Sequence, residues 1–219
     1  MIDFADARRH MVDGQVRPSD VSDHRVIGAM LEVPRENFAP PSATSIAYLD
    51  VDLPVGEGVG APRRMLKPII LAKLLNAAEI EPTDKVLDVG CATGYTAALL
   101  ARIAGGVVAL EEDPGLARTA KAALAGQPNV TVVTGPLVNG WAQGGPYDVI
   151  VLEGATEIEP RAFCQQLKDG GRLICVLGSA PGSAAWLYRR SGDDFGGRPV
   201  FSAGAPLLPG FAKPKVFTF

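Results

Sequence analysis

From residue 85 onward, short apolar runs alternate with segments of helical spacing, and this alternation constrains the fold more than any other feature. Such a pattern predicts β–α units and a mostly parallel sheet that is buried on both faces. We therefore expect an α/β fold built on a doubly wound sheet. The predicted strands lie at 86–89, 107–110, 130–133, 148–152 and 172–177, and the predicted helices at 97–103, 115–124 and 161–167. Later strands at 185–189 and 215–219 predict an antiparallel edge.

The first 81 residues have a different pattern, which predicts a helical and loop extension. Its predicted elements are helices at 3–17, 20–34 and 66–78 and, at 39–62, a long ordered loop or short strands. The candidate N-caps of the second helix are Ser19, Asp20 and Ser22. Pro34 ends this helix. We expect a single domain, 1–219, in which residues 1–81 pack on a core formed by residues 82–219.

The charge balance and the few potential metal ligands argue against several classes of function. Lys and Arg number 21 against 24 Asp and Glu, so the net charge of −3 gives no broad positive field for nucleic acid. No apolar run approaches the roughly 20 residues of a membrane span, and the first residues lack the pattern of a signal peptide. Three widely spaced cysteines, with only His10 and His24 beside them, predict neither disulfides nor a metal site. We expect a cytoplasmic protein with no nucleic-acid or membrane partner; its oligomeric state stays open.

The most informative motif is a glycine-containing turn after the first predicted strand. It reads VLDVGCATGY over residues 86–95. It does not match the dinucleotide fingerprint, which needs glycine at Ala92, or the phosphate-binding P-loop, which needs a Gly-Lys pair. Gly90 and Gly94 would let a ligand approach the backbone closely, and the N–H groups of the following helix favour an anionic group. The turn alone is equally compatible with a tight connection that binds nothing.

An acid after the second predicted strand favours a nucleoside cofactor. Glu111 follows Gly90 by 21 residues, where a carboxylate can accept hydrogen bonds from ribose hydroxyls. Together with Asp88, the turn resembles the first motif of the Rossmann-like S-adenosylmethionine-dependent methyltransferases. The resemblance implies S-adenosyl-L-methionine as cofactor. Its implied binding residues are Asp88, Gly90, Cys91, Ala92, Gly94 and Tyr95 in the turn, Glu111 and Glu112 at the ribose, and Pro136 and Leu137 beside the adenine.

A longer series of segments resembles one family. Residues 26–40 read VIGAMLEVPRENFAP and are similar to the V-L-x-A-M-x-x-V-P-R-x-x-F-V-P stretch of the protein-L-isoaspartate O-methyltransferases. The likeness extends over about residues 10–178. It implies methylation of isoaspartyl carboxylates in damaged proteins or peptides, which begins their repair. Because a carboxylate is already ionised at pH 7, no general base is needed and no catalytic residue is assigned.

The substrate loop departs from the pattern of that family. The family has I-S-x-P followed by His or Tyr and then Met, whereas residues 59–65 read VGAPRRM. Gly60 stands where the serine of the family contacts the substrate carboxylate. The resemblance assigns substrate binding to Val59, Gly60 and Arg63. The guanidinium of Arg63 or Arg64 could replace the hydroxyl, or both arginines could be solvated at a helix start.

Two further departures leave the methyl acceptor open. The G-D-G of the family reads Gly-Pro-Leu at 135–137, and its T-A-A reads Glu-Gly-Ala at 153–155. Glu153 would repel an anionic substrate unless it is paired, for example with Arg63. The alternatives are a methyltransferase of the same fold with another acceptor, and a non-catalytic protein that binds S-adenosylmethionine. The Pro-rich segment 205–211 could cover the sheet or pair two subunits.

Overall fold

The computed structural model describes residues 2–56, 63–178 and 181–214, which form helices around a seven-stranded sheet. The strands are β1 (Leu53–Pro54), β2 (Arg64–Met65), β3 (Lys85–Val89), β4 (Gly106–Glu111), β5 (Val130–Thr134), β6 (Tyr147–Thr156), β7 (Leu167–Leu177), β8 (Ala184–Ser191) and β9 (Asp194–Ser202). The short β1 and β2 form an antiparallel pair, and the others are arranged in the order β5-β4-β3-β6-β7-β8-β9. The five strands β5, β4, β3, β6 and β7 are parallel to one another. Strand β8 is antiparallel to β7, and β9 is antiparallel to β8. The predicted α/β class with an antiparallel edge is confirmed.

The helices bury their apolar residues on one face of this sheet. In the described part of the chain the α-helices are α1 (Phe4–Met11), α2 (His24–Glu32), α3 (Pro68–Ala77), α4 (Tyr95–Ile103) and α5 (Pro114–Ala123). One continuous hydrophobic core joins Met11 and Leu71 of the N-terminal part to Val86 and Val149 of the sheet. The opposite face is covered by 3-10 turns and by a C-terminal segment that includes Phe211. No helix among the described residues has the length and apolar character required to cross a membrane.

The N-terminal helices are shorter than the sequence predicts. Helix α1 stops at Met11, and residues 12–19 continue as a π-helical turn and a 3-10 turn. Asp20 then adopts a left-handed conformation with φ of 63°, which an N-cap does not use. The N-cap of α2 is Asp23, whose carboxylate accepts the N–H of Arg25 at 2.8 Å. This corrects the three predicted N-caps, Ser19, Asp20 and Ser22.

Two elements in the second half of the chain also differ from the prediction. The helix predicted at 161–167 is a 3-10 turn, Arg161–Gln166, because β7 begins at the next residue and leaves no room for a longer helix. Strand β9 was not predicted, since two glycines and Pro199 interrupt the apolar pattern. An edge strand tolerates proline because one of its sides needs no N–H donor. The strand predicted at 215–219 lies outside the described residues.

Candidate cofactor site

The candidate site lies where the chain leaves neighbouring strands in opposite directions. Strands β3 and β6 are adjacent, but β3 is followed by α4 and β4 on one side and β6 by β7 on the other. In an open α/β sheet, ligands bind outside the carboxyl ends of the strands at such a switch point. The turn at residues 90–94 and the end of β6 at residues 153–156 therefore border the site.

The glycine turn is fastened to the neighbouring strand by its own backbone. Gly90 and Gly94 have φ of +86° and +96°, a region that favours glycine. The N–H groups of Gly90 and Cys91 donate to the carbonyl of Leu110 at 2.8 and 3.1 Å. At this positive φ any other residue would be strained, and a Cβ on Gly94 would also lie 2.8 Å from the side chain of Leu124. The turn therefore ends at the N-terminus of α4, which begins at Tyr95.

Glu111, the last residue of β4, is fully buried and folds back onto the turn. Its Oε2 accepts the N–H of Ala92 at 2.7 Å, and its Oε1 accepts those of Glu112 and Asp113 at 2.9 and 3.1 Å. Ala92 has φ of +50°, an uncommon conformation for a residue with a Cβ, and the hydrogen bond to Glu111 stabilises it. The carboxylate is therefore held rigidly beside the turn.

Arg63, the residue before β2, contacts both Glu111 and the glycine turn. Its Nη2 donates to the carbonyl oxygen of Gly90 at 2.7 Å and to Oε2 of Glu111 at 3.1 Å. Its side chain is only 11% exposed. The alternative that Arg63 is solvated at a helix start is therefore wrong. Its ion pair is with Glu111 and not with Glu153, the partner suggested from the sequence.

Asp88 and Glu153 lie on the same face of the sheet as Glu111. The register pairs Asp88 with Ala109 and Val151, and Glu111 and Glu153 follow those partners by two residues. Both acids are buried, and among the described residues neither oxygen of Asp88 nor Oε1 of Glu153 has a hydrogen-bond partner. Burial, with the nearby charge of Glu153, raises the pKa of Asp88 well above its ordinary value; burial also raises the pKa of Glu153. The pocket suits a ligand that brings N–H donors or positive charge.

Two other residues of the turn contribute little side-chain chemistry. Cys91 is buried, and burial raises the pKa of its thiol well above the ordinary value, so it is a poor nucleophile. Tyr95 packs its ring against Phe38, with ring centroids 5.6 Å apart, and lies 4.8 Å below the guanidinium of Arg35. These contacts connect Tyr95 to the N-terminal extension.

The residues predicted beside the adenine and the substrate have different surroundings. Leu137 is buried and donates its N–H to Oε2 of Glu112 at 3.2 Å, whereas Pro136 is exposed. Val59 and Gly60 lie outside the described residues.

A C-terminal segment at residues 206–208, which sequence reasoning did not place in the site, borders the crevice. The backbone of Ala155 makes two hydrogen bonds to it, of 2.7 and 3.0 Å. Leu208 Cγ lies 2.8 Å from the position of a Cβ on Gly154, and its Cδ2 lies 3.1 Å from that of a Cβ on Gly90. Leu208 therefore sits between the two strand ends at the switch point. The segment covers the end of the central strand β6, which agrees with one of the two roles predicted for it; pairing of two subunits stays a prediction.

Comparison with known proteins identifies the relatives of the chain. Residues 7–195 match the family model described as Protein-L-isoaspartate(D-aspartate) O-methyltransferase (PCMT). The chain belongs to this family. A protein-L-isoaspartate O-methyltransferase of Koribacter versatilis (strain Ellin345) is 39% identical over 189 residues, which cover 85% of this chain and 83% of that protein. Protein-L-isoaspartate O-methyltransferase 1 of Rhodopseudomonas palustris (strain HaA2) is 40% identical over 188 residues, covering 85% and 75%.

Solved structures share the fold of this chain. One protein-L-isoaspartate O-methyltransferase superposes with a TM-score of 0.80 at 26% identity, over 93% of this chain and 66% of that longer chain. A Plasmodium falciparum protein of the same description, in complex with S-adenosyl-L-homocysteine, has a TM-score of 0.76 at 16% identity, a likeness of fold alone. PCMT enzymes are S-adenosylmethionine-dependent methyltransferases, so the predicted family and cofactor are confirmed.

The residues at the switch point fit this cofactor. The unpartnered oxygens of Asp88 can accept from an ammonium group, and Glu111 presents a fixed carboxylate to ribose hydroxyls. Gly90 has no Cβ, which leaves a cradle beside the turn, and Arg63 Nη2 lies 2.7 Å from the position such a Cβ would take. Among the described residues, no group of three or more His, Cys, Asp or Glu side chains could hold a metal ion.

Proposed function

We propose that the protein methylates the α-carboxylate of isoaspartyl residues in damaged proteins or peptides, the step that begins their repair. The observation that carries the proposal is the family match over residues 7–195, which spans the glycine turn, Glu111 and the substrate loop. The two relatives described above carry this activity in their names and are 39% and 40% identical.

The chemistry asks the protein for alignment rather than proton transfer. S-adenosylmethionine supplies a methyl group on a sulfonium, and an oxygen of the substrate carboxylate displaces it. That carboxylate is ionised at pH 7, so no side chain has to remove a proton. The residues of the crevice hold the two partners in line and exclude water from between them.

We propose a role in cofactor or substrate binding for each residue that the sequence predicted. We assign the methionine end of the cofactor to the turn residues Asp88, Gly90, Cys91, Ala92, Gly94 and Tyr95. The ribose is assigned to Glu111 and Glu112, and the adenine to Pro136 and Leu137. The substrate side comprises Val59, Gly60 and Arg63. Because Gly60 has no hydroxyl, we expect the guanidinium of Arg63 to pair with the substrate carboxylate, for which its planar fork is suited.

An isoaspartyl peptide and its normal aspartyl twin test the proposal. With methyl-labelled S-adenosylmethionine, we expect label in the isoaspartyl peptide only, together with an equal amount of S-adenosylhomocysteine. Glu111→Gln, which weakens the ribose site, should reduce labelling at low cofactor concentration. A protein that binds S-adenosylhomocysteine but labels neither peptide at high enzyme concentration would contradict the acceptor and leave the cofactor site standing.

Glu153 favours a second candidate, methyl transfer to a different acceptor. A buried carboxyl at the end of β6 opposes the approach of another carboxylate, and Arg63 is already paired with Glu111. The variant Gly60→Ser separates the candidates. Restored hydroxyl contact should increase isoaspartyl labelling under the first candidate, and it should leave the peptide unlabelled under the second.

We further propose a cytoplasmic location and a single domain. The cysteines of the described residues are unpaired and buried, which supports a reducing compartment. The hydrophobic core that joins the N-terminal helices to the sheet supports one folding unit.

A further inference from the structure

The crevice contains more buried carboxyl groups than the chain pairs with cations there. Asp88, Glu111 and Glu153 lie on one face at the carboxyl ends of three adjacent strands. Burying such groups is unfavourable unless cations or hydrogen-bond donors compensate them. Among the described residues, the ion pair to any of the three is that of Arg63 with Glu111, at 3.1 Å.

The guanidinium uses the same acceptors that a cofactor needs. Nη2 of Arg63 is within hydrogen-bond distance of both the carbonyl oxygen of Gly90 and Oε2 of Glu111. Glu111 is the carboxylate placed for ribose hydroxyls, and the carbonyl of Gly90 is an acceptor open to an ammonium. Because Oε2 of Glu111 already accepts from the N–H of Ala92 as well, a ligand that hydrogen-bonds to this oxygen competes with the guanidinium for it.

We propose that Arg63 is a resident counter-cation of the crevice that competes with S-adenosylmethionine and leaves when the cofactor binds. The inference goes beyond the methyl acceptor and rests on the proposed function only through its cofactor site. It makes cofactor affinity depend on a residue that belongs to the substrate loop.

The surroundings of Arg63 allow it to leave. Its Nε is buried and has no acceptor among the described residues, so the site satisfies the guanidinium only in part. Its backbone is anchored separately, because its carbonyl accepts the N–H of Val55 at 2.9 Å. The side chain can therefore rotate out of the crevice without disrupting the β1–β2 pair.

Competition of this kind lowers the apparent affinity by the fraction of molecules in which the site is open. With Arg63 out of the crevice in about one molecule in ten, the apparent dissociation constant is about tenfold weaker than the intrinsic one. Removing the guanidinium should recover that factor. It should also destabilise the ligand-free protein, since the carboxylates then lack their cation.

The test compares Arg63→Met, Arg63→Lys and the matched control Arg64→Met. Arg64 is adjacent, but its guanidinium donates to the carbonyl of Asp52 at 3.1 Å instead of to the turn. Calorimetric titration with S-adenosylhomocysteine, without any acceptor, gives the dissociation constants, and thermal unfolding of the ligand-free proteins gives their melting temperatures. We expect Arg63→Met to bind about tenfold more tightly and to melt at a lower temperature. Arg63→Lys, with one compact charge, should fall between it and the natural protein, and Arg64→Met should match the natural protein.

The outcomes separate this inference from the proposed function. Equal or weaker binding by a folded Arg63→Met, as judged by circular dichroism, would overturn the competition, and so would equal tightening by Arg64→Met. Failure of every variant to bind S-adenosylhomocysteine would overturn it together with the cofactor site. Tighter binding by Arg63→Met, with no methylation of an isoaspartyl peptide by the natural protein, would uphold the inference and contradict only the proposed acceptor.

Discussion

The two ends of the parallel strands treat their acidic residues in opposite ways. At the amino-terminal end, Asp84 is paired with Arg172 at 2.6 Å and Asp148 with Lys168 at 2.8 Å. At the carboxyl-terminal end, Asp88 is more deeply buried than either and has no hydrogen-bond partner among the described residues. The first end is built for stability and the second leaves its acceptors for a ligand.

The pKa values differ in the same sense. Burial alone would raise the pKa of Asp148, but hydrogen bonds from Lys168 and from the backbone of Lys85 outweigh it and lower the pKa. Burial raises the pKa of Asp88 and of Glu153, and nothing at that end outweighs it. Groups kept in an unfavourable state inside a crevice are typical of functional sites.

The largest effect is expected from Asp84→Ala. It leaves the largely buried guanidinium of Arg172 without its carboxylate, and we expect the free energy of unfolding to fall by about 3 kcal/mol. Urea denaturation measures this loss. The affinity of the folded variant for S-adenosylhomocysteine should not change, and a parallel loss of affinity would show that the two ends are not separate.

Glu111→Gln should have the opposite profile. An amide cannot accept from all three backbone N–H groups and also from ribose hydroxyls, so we expect binding of S-adenosylhomocysteine to weaken by about 2 kcal/mol, roughly 30-fold. Calorimetric titration measures the change, with Asp148→Asn as the control from the other end of the sheet. Unaltered affinity would remove Glu111 from the cofactor site.

Asp88→Asn should stabilise the protein while weakening cofactor binding. Because the pKa of Asp88 is raised on folding, the folded state holds its proton to higher pH and stability falls as pH rises from about 4 toward that raised value. Asparagine does not titrate, so the variant should gain about 1 kcal/mol over the natural protein near pH 8 and less near pH 4. Urea denaturation across this range would refute the reasoning if the difference did not grow with pH.

The smallest effect is expected from Asp148→Asn. The folded pKa of Asp148 is lowered, so its contribution is present above about pH 4 and is lost as pH falls through the folded value. Since the ion pair is partly exposed, we expect a loss of only about 0.5 kcal/mol at pH 7, which disappears in acid. A loss that instead increased toward low pH would reverse the contrast with Asp88.

The sequence predicted the features that are determined by residues close together along the chain. The parallel strands, the glycine turn and the position of Glu111 follow from apolar runs and from spacing along the chain. The contact between Arg63 and Glu111 joins residues 48 positions apart and depends on how β2 lies over the sheet, so spacing could not reveal it. The pairing of Leu208 with the end of β6 was hidden for the same reason. Strand β9 was missed because its glycines and proline are tolerated only in an edge strand, and the sequence did not show that this segment lies at an edge.

The position of Leu208 has a consequence for synthesis on the ribosome. The strands on either side of the crevice are translated well before the residue that fills the gap between Gly90 and Gly154. A nascent chain can therefore form most of its sheet while this gap is still open to solvent. The site is completed only after residue 208 has emerged from the exit tunnel and reached the two strand ends.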